Sequence, residues 1–111
     1  MNSTDFNISM VKGDTLSFGI EIEGLDQDLD SAFFSCAGAQ PTTEYVFQKS
    51  LGDGITKVET GKYRVRVAPE DTADAEAGFY FYDLQIGVNS DIFTIMKGSL
   101  CLEAEVTVPE V

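Results

Sequence analysis

Apolar and polar residues alternate with period two along most of this chain, as in strands that bury one face and wet the other. The alternation is strictest over 15–23, TLSFGIEIE, where Leu16, Phe18, Ile20 and Ile22 should point inward and Ser17, Gly19, Glu21 and Glu23 outward. It recurs over 62–67, with Tyr63, Val65 and Val67 on one side and Lys62, Arg64 and Arg66 on the other. Residues 5–11 alternate as well, with Phe6, Ile8 and Met10 sharing a face. Further strands are predicted over 32–37, 45–49, 55–59, 79–88 and from 91 to about 108, punctuated by Gly, Pro, Asn and Asp turns. Adjacent Phe33 and Phe34 leave the phase of 32–37 open. In the last strand Phe93 and Ile95 are odd, whereas Leu100, Leu102 and Val106 are even. Gly98 sits at that slip, so a bulge or kink is expected there. The connection over 68–77 opens with Pro69, Glu70, Asp71 and Thr72 and should hold one helical turn around 73–77.

Seven or more short strands with turns between them specify an all-β sandwich. The run from Tyr63 to Ile86, two strands joined across a corner with tyrosines just beyond it, resembles the corner of an immunoglobulin-like domain. The expected fold is an immunoglobulin-like antiparallel β-sandwich of about seven to nine strands, in a single domain over 1–111. In that layout 15–23 lies beside 62–67, and Glu21 and Glu23 should face Lys62, Arg64 and Arg66. Such cross-strand pairs contribute only about 0.2–1 kcal/mol each. They would still account for three of the seven cations without any ligand. Cys36 and Cys101 fall two strand spacings apart, roughly 10 Å. A disulfide needs Cα atoms within about 7 Å, so both are expected as reduced thiols.

Charge narrows the function classes. The net charge of −12, from 19 acidic against 7 basic residues, would repel nucleic-acid phosphates and an anionic membrane surface alike. No stretch resembles a signal peptide or approaches the ~18–20 apolar residues of a membrane span, so assembly in a cytoplasm is expected. The chain has no histidine, the commonest general base and metal ligand. Serine or cysteine nucleophiles would lack their usual partner, and no catalytic residue is predicted.

Four stretches are candidates for chemistry. Asp26, Asp28 and Asp30 place carboxylates at alternate positions, as calcium loops do, but Ser31 and Ala37 stand where an EF-hand needs Gly and Glu. A solvated loop pinned by Leu25 and Leu29 is the simpler reading, and no cofactor is expected. Glu70, Asp71 and Asp74 form a second acidic cluster with no basic partner in view, read as a capped, solvated corner. Gly52-Asp53-Gly54 lacks the Lys-Ser/Thr helix of a phosphate loop and reads as a turn. The strand over 79–88 is more informative. If Tyr80, Tyr82, Leu84 and Ile86 point inward, Phe79 and Phe81 point out, and Phe33 joins them if Phe34 and Cys36 are buried. Three phenylalanines on one sheet face would mark an interface.

Several pieces carry a further resemblance: Val11-Lys12-Gly13-Asp14-Thr15, Phe18-Gly19-Ile20, residues 24–29, residues 63–73, residues 78–84, Phe93–Gly98 and Glu105-Val106-Thr107. Together they resemble the small immunoglobulin-like proteins of bacteriophages and prophages, and the N-terminal domain of phage baseplate upper proteins. The resemblance covers nearly the whole chain, as a pattern of strands and turns without catalytic residues. It implies a virion component, tail or baseplate associated, that contacts copies of itself or neighbouring virion proteins. It makes Tyr80 the corner tyrosine and gives Asp71-Thr72 the shaping of the corner. Baseplate upper proteins continue into long C-terminal parts, and this sequence stops at Val111. Two other classes stay open: an acidic DNA mimic that blocks a host protein, which needs one coherent acidic surface, and a receptor- or carbohydrate-binding adhesin module.

Overall fold

A computed structural model describes residues 4–38 and 44–107. Nine strands and one helical turn follow in order: β1 (Thr4–Asp5), β2 (Ile8–Val11), β3 (Leu16–Glu21), β4 (Ser31–Ala37), β5 (Phe47–Leu51), β6 (Gly54–Glu59), β7 (Lys62–Val67), α1 (Pro69–Thr72), β8 (Gly78–Val88) and β9 (Asp91–Glu103). The loop read over 38–43 lies, from 39 onward, outside the described residues.

The strands form one hydrogen-bonded path, β1-β9-β8-β4-β5-β6-β7-β3, with β2 also on β9. That path folds back on itself into two layers. Phe18 of β3 meets Phe34 of β4 edge to face with ring centroids 5.4 Å apart, although three strands separate β3 from β4 in the path. The fold-over falls between β5 and β6, held by two parallel partners, Ser50 with Gly54 and Leu51 with Ile55. Phe34, Ile55, Val65, Val67, Leu84, Ile86 and Leu100 are fully buried between the layers. Burying side chains of this size contributes roughly 1.5–3 kcal/mol each before the entropy of ordering them is charged against it.

The two strictest alternations become neighbours: β3 pairs antiparallel with β7 along its whole length. Their charges pair differently from the expectation. Glu21 lies opposite Lys62, but Arg64 faces Gly19 and Arg66 faces Ser17, and Glu23 falls beyond the strand. Lys62 bonds Glu59 at 2.9 Å instead. The sandwich is also not purely antiparallel, because β1 and β2 both run parallel to β9.

The slip in the last strand is a bulge, but not at Gly98. Leu84 pairs with Met96 and Gln85 with Thr94, which leaves Ile95 as the extra residue. Gly98 answers a different need. The chain between β1 and β2 crosses it so closely that a Cβ there would strike the Phe6 carbonyl. At that crossing Phe6 N–H donates to Lys97 O at 2.9 Å and Ser99 N–H to Asn7 Oδ1 at 3.2 Å. The crossing turns Phe6 outward, whereas Ile8 and Met10 are buried. Val106 is also exposed, because β9 ends at Glu103 and nothing continues its alternation.

The helical turn begins at Pro69, earlier than predicted. Proline presets φ for the first helical position, and the Asp71 carboxylate accepts the Ala68 N–H at 2.7 Å. Asp71 also has the basic partner that the sequence did not suggest: Lys49 Nζ lies 2.7 Å from it, with both side chains largely buried. Thr72 beside it is fully buried, and its hydroxyl accepts the Gly13 N–H at 2.8 Å, tying the corner to the β2–β3 turn. Tyr80 closes the corner by donating its hydroxyl to the Glu76 carbonyl at 2.6 Å. β8 lies between β4 and β9, so Cys36 and Cys101 are separate free thiols. Burial pushes the Cys36 thiol up to about 12.

Candidate protein-contact face

The candidate surface is the outer side of β5, β4, β8 and β9. Its composition follows from strand phase. Tyr82, Leu84 and Ile86 on β8 and Ala32, Phe34 and Cys36 on β4 are buried, so every residue between them faces out. Register sets these outward residues in rows: Gln85 beside Phe33, Asp83 beside Ser35, Phe81 beside Ala37. On the far side of β8, Lys97 lies opposite Asp83, Ser99 opposite Phe81 and Cys101 opposite Phe79.

Phe33 is 36% exposed, Phe81 43% and Phe79 80%. All three lie on one face, but they do not form one continuous apolar patch. Phe79 and Phe81 are next-but-one neighbours near the start of β8, whereas Phe33 pairs with Gln85, four residues further along. Between them runs a concavity of about 550 Å³, lined by Phe33, Tyr45, Gln48, Phe81, Asp83 and Gln85 among others. Polar groups line it as well: Gln48 Nε2 donates to Ser35 Oγ at 3.0 Å, and Asp5, Asp83 and Lys97 are among its lining residues. Burial against the sheet raises the Asp83 carboxyl above its ordinary value. Lys97 is its cross-strand neighbour, outside ion-pair distance. Under the floor, burial and then the charge of Asp5 raise the Tyr82 phenol to about 12, and its hydroxyl donates to the Phe6 carbonyl.

Tyr45 is the member of this surface that sequence reasoning placed only in a strand. It precedes β5 and its ring is exposed at the rim. An aromatic residue just outside a strand, beside a glycine- and proline-containing loop, was the available signal.

The other candidates lie elsewhere. Asp26, Asp28 and Asp30 are all exposed, and Asp28 is held by Lys57 at 2.6 Å. Among the described residues no three Cys, Asp or Glu side chains come together as metal ligands would. The 24–30 loop is fixed by buried Leu29, whose N–H donates to the Tyr63 hydroxyl at 3.0 Å, and by the Gln27–Asn89 amide pair at 2.9 Å. The cluster of Glu70, Asp71 and Asp74 is divided: Asp71 is engaged by Lys49 and Ala68, while Glu70 and Asp74 face solvent.

Neither a family model nor a curated protein sequence matches the chain. Solved structures do match in shape. The swine CD8αα homodimer superposes with a TM-score of 0.52 at 13% identity, covering 93% of this chain and 97% of that one. The extracellular domain of the voltage-gated sodium channel β4 subunit gives 0.50 at 11% identity, covering 96% and 97%. A candidate glycoside hydrolase from Bacteroides vulgatus gives 0.48 at 13% identity, and the chain spans 16% of that protein's length. With strands, corner and core described above, the first two place the chain's architecture: it is an immunoglobulin-like β-sandwich.

Proposed function

We propose that the protein is a non-catalytic interaction module that packs against a second copy of itself through the outer face of β5, β4, β8 and β9. One observation carries this reading: three phenylalanines, Phe33, Phe79 and Phe81, project from a single sheet face of the monomer. The concavity between them holds two carboxylates, Asp5 and Asp83, and one cation, Lys97, on a chain whose net charge is −12. Burying exposed aromatic rings of this kind is what a protein contact does, and Lys97 offsets part of the repulsion between two acidic chains there. Homodimers among the proteins of similar fold, swine CD8αα and the β4 extracellular domain, agree with a self-contact, although at 11–13% identity the argument rests on the face.

The finer reading, a tail- or baseplate-associated virion component, rests on the sequence pattern over 11–29, 63–84 and 93–107. The DNA-mimic reading needs one coherent acidic surface. Here carboxylates pair at separate places, Glu105 with Lys12, Asp71 with Lys49, Asp28 with Lys57 and Glu59 with Lys62.

Light scattering across a concentration series tests the contact. A defined oligomer that Phe81→Lys reduces in mass, with the circular dichroism of the folded state retained, supports the face. An unchanged mass in that variant would exclude it.

A further inference from the structure

A second surface follows from the route of the first strands. Both β1 and β2 lie on β9, so β3 ends the sheet path with β7 as its only strand neighbour among the described residues. The Ile22 N–H donates to the Gly61 carbonyl at 2.8 Å, and the β3–β7 register runs unbroken from there. Even-numbered residues of β3 therefore turn their backbone groups toward β7. Ser17, Gly19 and Glu21 turn theirs toward the open edge, each offering one N–H and one C=O.

Sheet edges in soluble proteins are normally blunted by proline, charged side chains, inward charges or a bulge. The sequence LSFGIE has no proline, lysine, inward charge or bulge, and its one charged residue, Glu21, stands at its end on the outward side. Its inward side chains Leu16, Phe18 and Ile20 are only half-buried, so apolar surface lies open along the same edge. On the outward side Arg64 and Arg66 have no carboxylate partner among the described residues.

We infer that β3 pairs edge to edge with β3 of a second copy, antiparallel, with Gly19 on the two-fold axis. That register engages all three open residues: Gly19 with the partner's Gly19, and Ser17 with the partner's Glu21. It sets Phe18 beside the partner's Ile20 and Leu16 beside the partner's Ile22, closing the apolar strip. On the outer face the partner's Glu21 lies opposite Ser17, which already accepts Arg64 Nη1 at 3.4 Å and lies beside Arg66 in the β3–β7 register. The unpaired arginines thus gain a carboxylate from the other copy. Glycine at the axis has no side chain to clash with itself. The edge is a separate surface from the phenylalanine face, and two isologous contacts on one chain extend an assembly beyond a dimer.

Sedimentation equilibrium on the full chain distinguishes the two surfaces. Ser17→Pro removes an N–H that points away from β7, so the fold tolerates it while the edge loses its ladder. In a Phe81→Lys background the mass is expected at twice the 12.1 kDa chain, falling to one chain when Ser17→Pro is added. The charge exchange gives a second readout: Glu21→Arg alone weakens the dimer at least tenfold, and Glu21→Arg with Arg66→Glu restores it. A Phe81→Lys protein that is already monomeric, or one whose dimer survives Ser17→Pro unchanged, overturns the edge pairing. If the wild type loses mass with Ser17→Pro and none with Phe81→Lys, the edge stands and the phenylalanine face falls.

Discussion

The two outer faces of this sandwich obey the same alternation yet carry opposite chemistry. On β4 and β8 the outward positions hold phenylalanine, serine, glutamine and one half-buried carboxylate. On β7 they hold Lys62, Arg64 and Arg66. Water solvates the second face without help, because long cationic side chains keep their charges wet. The first face leaves apolar rings in water and a carboxylate with its charge partly desolvated, and neither is relieved within one chain. Alternation alone thus says which residues face out; their chemistry says which face still needs a partner.

Neighbouring Phe33 and Phe34 offer the strongest test of that contrast. Phe34 is fully buried among Phe18, Phe47 and Tyr82, with ring centroids 5.4–5.6 Å away. Phe34→Ala should cost about 3–5 kcal/mol in urea unfolding, as large-to-small changes of buried aromatics do. Phe33→Ala, at a ring 36% exposed, should cost the monomer only about 1 kcal/mol, well below Phe34→Ala, while reducing the associated mass. Equal losses of stability in the two variants would erase the distinction between core and contact face.

Asp83 adds a pH dependence to the apolar face. Its carboxyl is raised in the folded protein, so the folded state holds the proton more tightly than the unfolded chain. Its destabilising contribution is absent below the ordinary carboxylate range, appears as pH rises through it, and is complete once the folded carboxyl has ionised. Asp83→Asn should therefore stabilise the monomer at pH 7 and do little at pH 3, measured by thermal unfolding at both. Stabilisation at pH 3 alone would reverse the sign and refute the desolvation account.

Thiol labelling reads the same face. Cys101 points out beside Phe79, whereas Cys36 is buried with its thiol pushed up to about 12. At pH 8 iodoacetamide should modify Cys101 well before Cys36. Labelling of Cys101 should slow as the protein concentration is raised into the associated range. Concentration-independent labelling would detach Cys101 from the contact.

How far these features were legible depends on whether a residue's partner is local. The faces of β3 and β7 could be read directly, since each alternates without interruption. Phe33 and Phe34 could not be phased alone, because two adjacent rings satisfy either side; the register with β8 decides between them. The phase change in β9 was visible between Ile95 and Leu100, but an alternation pattern cannot say where inside that interval the extra residue sits. Gly98 drew attention as the glycine there, while its reason lies 92 residues away, at Phe6. The Lys49–Asp71 pair and the parallel docking of β1 and β2 are likewise tertiary, with no local signature. The phenylalanines of the contact face were legible as residues; the concavity dividing them was not, since it arises from five strands together.

The cationic face should respond least of all. Arg64 makes one long bond, 3.4 Å to Ser17 Oγ, and Arg66 has no ion pair among the described residues. Exposed side chains with so little to lose usually shift stability by less than about 0.5 kcal/mol. Arg64→Ala and Arg66→Ala should therefore leave the urea midpoint almost unmoved in the Phe81→Lys protein diluted until it is monomeric, where Ser17 is still in place. At associating concentrations of that protein, Arg66→Ala should still weaken association and flatten its salt dependence, because the charge pair forms only between copies. A loss of monomer stability above about 1 kcal/mol would exceed any exposed-site effect. It would mean that the arginines hold this sheet together within one chain, and the contrast between a satisfied face and an unsatisfied one would have to be drawn elsewhere.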